Sequence, residues 1–258
     1  MLLVIDSGNT NVVFAVYDGH EQKGYWRATS DSKKTADEYA VWLTQLMALK
    51  GLEPKDITGA ILANVVPASN YNLKTLCQSY FSCTPLMVEL GKIDLGLRVN
   101  IDHPEQAGAD RLVNAVAGYQ RYGGNLILID FGTATTFDIV GADGAYEGGV
   151  IAPGVNLSIE ALYMASAKLP RIDIKAPSQV IGKATVPAME SGIFWGYISM
   201  VEGMVQRIRD EYGAPMKVIA TGGLAQLFDT ATDVIDHIDK DVTLRGLIAI
   251  YELNSQKT

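Results

Sequence analysis

The sequence predicts an α/β protein of two similar domains with its active site in the cleft between them, and three observations carry this reading. A short apolar run ends in Asp6-Ser7-Gly8, and a second one ends in Asp130-Phe131-Gly132. At the offset of 124 residues that separates Asp6 from Asp130, Leu2, Ile5, Asp6, Gly8 and Val16 meet identical residues at 126, 129, 130, 132 and 140. Each Asp-x-Gly loop is followed by strand, turn and strand patterns and then by helical periodicity. A duplication inside 258 residues accounts for this more simply than one large domain does. The junction is expected near residues 118–124, dividing the chain into domains 1–120 and 121–258, the second of them the dimerising one.

The elements follow in order. Residues 2–5 and 12–17 are apolar runs bounded by Gly, Asn and Asp, which read as strands joined in a hairpin. Asp18-Gly19 marks the next turn, and residues 24–29 give a third strand. From Thr35 the period changes. Thr35-Ala36-Asp37-Glu38 has the form of a capping box, Tyr39, Leu43, Leu46 and Met47 recur at helical spacing, and Gly51 supplies the stop. Residues 60–65 read as a buried strand and 70–80 as a helix. A further helix is expected to start near Pro104-Glu105, with Leu112, Val113, Val116 and Tyr119 on its apolar face. The second half repeats the opening with strands over 126–129, 136–140 and 146–152. Helical segments are expected near 157–167 and 187–212, a strand over 217–220, and a last helix near 244–253 ahead of a fraying polar tail, 254–258.

Composition narrows the class. The chain has 21 Lys+Arg against 29 Asp+Glu, a formal net charge of −8, and no basic run, which disfavours nucleic acid and anionic membranes as partners. No apolar run approaches the ~20 residues a membrane helix needs, and the N-terminus lacks a basic start. Cys77 and Cys83 lack His partners at zinc spacing and read as free thiols of a cytoplasmic protein.

Asp6-Ser7-Gly8-Asn9-Thr10-Asn11 is the sharpest motif. A tight hairpin aims backbone N–H groups in one direction, Gly8 permits close approach, and the polar side chains add donors, which suits a triphosphate. An Asp beside phosphate requires an intervening cation, so Mg²⁺ is implied. An ordinary Asn/Gly hairpin is the competing reading. Asp130-Phe131-Gly132-Thr133-Ala134-Thr135-Thr136 repeats the pattern, and two such loops across a cleft would bracket a nucleotide; two unrelated tight turns are the alternative. In Gly108-Ala109-Asp110-Arg111, Asp110 is suited to take a proton from a substrate hydroxyl and Arg111 to hold a carboxylate. A dipole-favoured first-turn acid beside a solvated Arg explains the same residues. Gly148-Gly149-Val150-Ile151-Ala152-Pro153-Gly154 reads either as a cleft lining or as turns at the ends of an edge strand, and Thr221-Gly222-Gly223 either as backbone packed flat against an adenine or ribose or as a plain turn. His103, His20 and His237 show no partner in the sequence. The phosphate loop of P-loop enzymes, the serine-hydrolase elbow and the dinucleotide fingerprint are all absent.

Taken together, these motifs resemble the acetate and sugar kinase/actin-like ATPase superfamily, with its ribonuclease H-like domains, and within it the type III pantothenate kinases. The resemblance runs nearly end to end. It implies ATP-dependent phosphorylation of pantothenate, the first step of coenzyme A biosynthesis, by a cytoplasmic homodimer with its site near the subunit interface. By match to the family motifs, Asp6, Ser7, Gly8, Asn9, Thr10, Asn11, Val12 and Val13 form the ATP phosphate loop, and Thr133 adds an ATP contact. Gly108, Ala109, Asp110, Arg111 and Thr185 contact pantothenate, with Asp110 as the catalytic base. Asp130 is the ligand of a monovalent cation, K⁺ or NH₄⁺, and Asp6 holds Mg²⁺ through the phosphates. Ile101 stands where many members have Tyr. Three other readings remain open at this point: a kinase of the same fold with another acceptor, an actin-like ATPase without one, and a nucleotide-binding regulator.

Overall fold

The first strand, β1 (Leu2–Ser7), is apolar on both faces, so it belongs inside a sheet covered on both sides. It pairs antiparallel with β2 (Asn11–Asp18) and parallel with β4 (Gly59–Asn64), and β3 (Glu21–Thr29) and the short β5 (Leu86–Met87) complete the order β3-β2-β1-β4-β5. The computed structural model of the chain describes residues 1–166 and 168–255. Its second sheet, β8-β7-β6-β9-β10, repeats the order of the first. The strands are β6 (Leu126–Phe131), β7 (Ala134–Val140), β8 (Tyr146–Pro153), β9 (Lys217–Gly222) and β10 (His237–Ile238).

Register shows the repeat in finer detail. Asp6 lies opposite Val13, and Asp130 lies opposite Thr136, so the second hairpin loop is one residue shorter and the second strands correspond at an offset of 123. The match of Val16 with Val140 is therefore corrected: the structural counterpart of Val140 is Tyr17. Both halves carry a bulge at that place, between Val16 and Tyr17 and between Ile139 and Val140. A conserved register irregularity in both copies is stronger support for duplication than the residue identities.

The helices are α1 (Ala36–Ala48), α2 (Asn70–Tyr80), α3 (Ala109–Tyr122), α4 (Val155–Ala165), α5 (Thr185–Tyr212), α6 (Ala225–Asp229) and α7 (Val242–Ser255). The capping box forms: Thr35 N–H donates to Glu38 Oε2 at 2.8 Å and Glu38 N–H to Thr35 Oγ1 at 3.3 Å. Thr35→Ala is expected to destabilise the fold by about 1 kcal/mol, read as a lower urea midpoint at unchanged slope.

Two compact units result. One holds residues 1–98, 102–117 and 242–255, and the other holds 99–101 and 118–241. Helix α7, counted with the second half in the sequence reading, packs with the first unit against β1 and β4. Its buried Leu244, Leu247, Ile248 and Ile250 supply the apolar face, and the Tyr251 hydroxyl occupies the space a Cβ on Gly59 would need. The first core gathers Leu3, Ile5, Phe14, Tyr39, Leu43, Leu73 and Leu76, and the second Ile127, Ile129, Phe137, Phe194, Val201 and Phe228.

Other boundaries move. Pro104–Gln106 forms a separate 3₁₀ turn, and α3 starts only at Ala109, because the extended backbone of Ala107 interrupts the helical path. Thr221 and Gly222 belong to β9, whose pairing with β6 extends through them. The tail expected to fray is helical as far as Ser255, and Asn254 Nδ2 donates to the Asp94 carbonyl at 2.7 Å. Residue 167, at the end of an expected helix, and residues 256–258 lie outside the described residues. No described helix is long and apolar enough to cross a membrane.

Candidate active site

In the first unit the Asp6 loop sits at the C-terminal end of β1. Gly8 N–H donates to the Asn11 carbonyl at 2.9 Å, so that N–H is engaged in closing the turn. Asn9 and Thr10 are the exposed residues of the loop, and Asp6, Gly8, Asn11 and Val13 are half-buried. Ser7 and Val12 are fully buried. Ser7 Oγ has no hydrogen-bond partner among the described residues. A buried hydroxyl left unpaired costs roughly 1–3 kcal/mol, which a bound water or ligand oxygen would relieve.

Two neighbours hold this loop that spacing alone did not single out. Ser30 N–H donates to the Thr10 carbonyl at 2.9 Å, and Val65 N–H donates to the Ser7 carbonyl at 3.0 Å. The parallel register of β1 and β4 also places Asn64 beside Ser7. The only signal for them lies in strand pairing, which a single sequence does not reveal.

Gly108-Ala109-Asp110-Arg111 marks the entry to α3, and all four residues are half-buried. Asp110 Oδ1 accepts the Arg111 backbone N–H at 2.9 Å. A Cβ on Gly108 would lie 2.6 Å from that same oxygen, so glycine there makes room for the carboxylate. Burial pushes the Asp110 carboxyl above the ordinary range, and the Arg111 hydrogen bond and charge only partly offset this.

In the second unit, three motifs that are far apart in sequence converge. A Cβ on Gly154 would fall 2.1 Å from the Thr133 carbonyl oxygen and 2.7 Å from that of Gly132, so the turn after β8 lies directly on the second loop. Thr221 lies opposite Asp130 and Gly222 opposite Phe131 in the β6–β9 pair. Gly222 has φ +92°, and a Cβ there would stand 2.6 Å from both Asp130 Oδ1 and the Phe131 carbonyl oxygen. A carboxylate and a carbonyl oxygen in one glycine-lined hollow are the hard donors that K⁺ or Mg²⁺ takes. As in the first loop, Gly132 N–H turns inward, to the Ala134 carbonyl at 3.0 Å, and Thr133 is exposed. Gly148, at φ +112°, lies inside edge strand β8, where a Cβ would be 3.5 Å from Ile101 Cγ2.

Thr185 is the exposed first residue of α5. No group of three or more His, Cys, Asp or Glu among the described residues is arranged to hold a metal. A divalent ion that arrives on nucleotide phosphates needs only one or two carboxylates from the protein, and Asp6 fits that demand.

Two sheets of one strand order, each opening on an Asp-x-Gly hairpin, define the actin-like ATPase and sugar kinase class of fold. A structure assigned to a 2-dehydro-3-deoxygalactonokinase of Sinorhizobium meliloti shares this fold, with a TM-score of 0.61 at 12% identity over 98% of this chain and 96% of that one. Within that class, the family model for type III pantothenate kinases matches residues 2–207. The type III pantothenate kinase of Paramagnetospirillum magneticum is 62% identical over 255 residues, 99% of this chain and 98% of the relative. That of Rhodospirillum rubrum is 59% identical over 98% of this chain and 99% of its own. The chain belongs to the type III pantothenate kinase family.

Proposed function

We infer that the chain transfers the γ-phosphoryl group of ATP to the primary hydroxyl of pantothenate. The observation that carries this reading is the 62% identity with a type III pantothenate kinase over 99% of the chain. In the step proposed, the pantothenate hydroxyl oxygen forms a bond to the γ-phosphorus, and the bond from that phosphorus to the β–γ bridging oxygen breaks. ADP leaves with the bond's electron pair, and the hydroxyl proton passes to Asp110. The raised carboxyl of half-buried Asp110 supports its role as base, since a proton acceptor works best with a pKa drawn towards the working pH. Arg111 holds the pantothenate carboxylate, with Gly108 and Ala109 lining the site and Thr185 adding a contact.

The ATP phosphates are assigned to the Asp6 loop, through residues 6–13, and Thr133 contacts the same nucleotide. When bound, Mg²⁺ and a monovalent cation neutralise charge on the phosphates. Asp6 would hold the first through the phosphates, and Asp130 with the Phe131 carbonyl the second. Local cations answer the problem set by a net charge of −8, which repels both an anionic nucleotide and an anionic acceptor.

A homodimer formed through the second unit belongs to this reading. Its support is apolar side chains left in solvent, with Met164 75% exposed on α4 and Ile181 79% exposed just ahead of Thr185. A cytoplasmic location, where ATP is available, completes it.

The test is a coupled ADP-release assay with Mg²⁺-ATP and pantothenate, run in potassium, ammonium or sodium chloride. Turnover that requires pantothenate and is several-fold faster in potassium or ammonium is the expected result. ATP hydrolysis indifferent to pantothenate would overturn the reaction assigned. Equal turnover in sodium would remove the cation role of Asp130.

A further inference from the structure

The C-terminal helix α7 contributes no residue to the chemistry proposed above, yet it grips α3 one turn beyond Asp110. Thr243 Oγ1 donates to Asn114 Oδ1 at 2.7 Å. Asn114 is only 3% exposed, so this bond satisfies a polar side chain that water does not reach. At the same crossing, a Cβ on Gly246 would lie 2.2 Å from the Val113 carbonyl oxygen, so glycine lets the two helix backbones touch. Asp110 and Asn114 are four residues apart in one helix, hence on one face and adjacent turns. The Asp110 carboxylate is tied to its own helix start through the Arg111 N–H. Its location therefore follows the rotation and axial position of α3.

We propose that α7 is the positioning element for Asp110, and that Thr243 and Asn114 are positioning residues that set the phase of α3 through their hydrogen bond. Gly246 sets the depth of the crossing. An apolar pair would bury equally well but would leave the helix free to rotate or slide by a fraction of an ångström, and misplacement of a catalytic group by about 1 Å costs on the order of 10²-fold in rate. This proposal rests on the reading of Asp110 as the base.

The experiment compares Thr243→Val, Thr243→Ser and the double variant Asn114→Leu/Thr243→Val in the full-length enzyme, each assayed well below its melting temperature. Thr243→Val is expected to lower kcat by about tenfold to a hundredfold with KM for ATP near wild type. Thr243→Ser keeps the donor and is expected to restore most of the rate. The double variant removes both polar partners together, which is nearly neutral for stability in the best cases. Positioning predicts that it folds and stays slow. A purely structural bond predicts that it folds and regains the wild-type rate, which would overturn the proposal, as would a Ser variant no faster than Val. If Thr243→Val alone fails to fold, the double and Ser variants still decide. Asp110→Asn assayed alongside separates the two levels. Wild-type turnover there sinks the base assignment, whereas a crippled Asp110→Asn beside an unaffected double variant sinks only the positioning role.

Discussion

Asp110→Asn is expected to lower kcat by about 10²–10⁴, the range that general-base catalysis contributes, with ATP affinity near wild type. Asn retains the acceptor for the Arg111 N–H and the shape of the side chain, so the loss isolates proton uptake. Steady-state kinetics together with calorimetric titration of a non-hydrolysable ATP analogue check it, and wild-type turnover would sink the assignment. The raised carboxyl adds two pH consequences. If Asp110 is the base, the acid limb of kcat/KM in the wild type should lie above the ordinary carboxylate range, because a carboxyl accepts a proton only when ionised. For stability the sign runs the other way from a salt-bridged acid. Between the ordinary and raised values the folded chain holds a proton that the unfolded chain has released, so stability falls as pH rises through that window. Asp110→Asn should therefore raise Tm at neutral pH, and this advantage should vanish below the ordinary carboxylate range.

Gly154→Ala is expected to weaken ATP use and stability together. The added methyl would stand 2.1 Å from the Thr133 carbonyl oxygen and 2.7 Å from that of Gly132, both backbone atoms that no side-chain rotation relieves. Gly154 has an ordinary φ of −72°, so the conflict is one of space and not of backbone conformation. Overpacking of this kind costs about 1–3 kcal/mol. Because the atoms pushed aside belong to the loop assigned to ATP, KM for ATP should rise more than kcat falls, and Tm should drop by several degrees. Thermal melts and ATP saturation curves read both effects. An unchanged KM with an unchanged Tm would show that the second loop is not held by this turn.

Legibility in the sequence followed the range of the interaction. Helix α2 spans residues 70–80 as its periodicity indicates, and the Thr35–Glu38 capping box forms as written, because helix periodicity and caps are decided within four residues. The Asp-x-Gly repeat was equally visible, since each copy is one strand end and one turn. The start of α3 was misplaced by the Pro104–Gln106 turn, where Pro favours either kind of helical opening. Asn64, Ser30 and the hollow at Gly222 were not legible as neighbours of the two loops. Parallel pairing of β1 with β4 and β6 with β9 leaves no local mark that fixes its register.

By itself, the sequence determined that the chain has two similar α/β halves and where their Asp-x-Gly loops fall. The tertiary structure alone decided that the second loop is one residue shorter and that Gly154 and Gly222 close around Asp130 and Thr133. It also decided that the last helix returns to the first unit to grip α3 behind Asp110. The physical reason is the same in each case: a glycine notch or a buried side-chain pair is defined by what packs against it, and that partner lies tens to more than a hundred residues away.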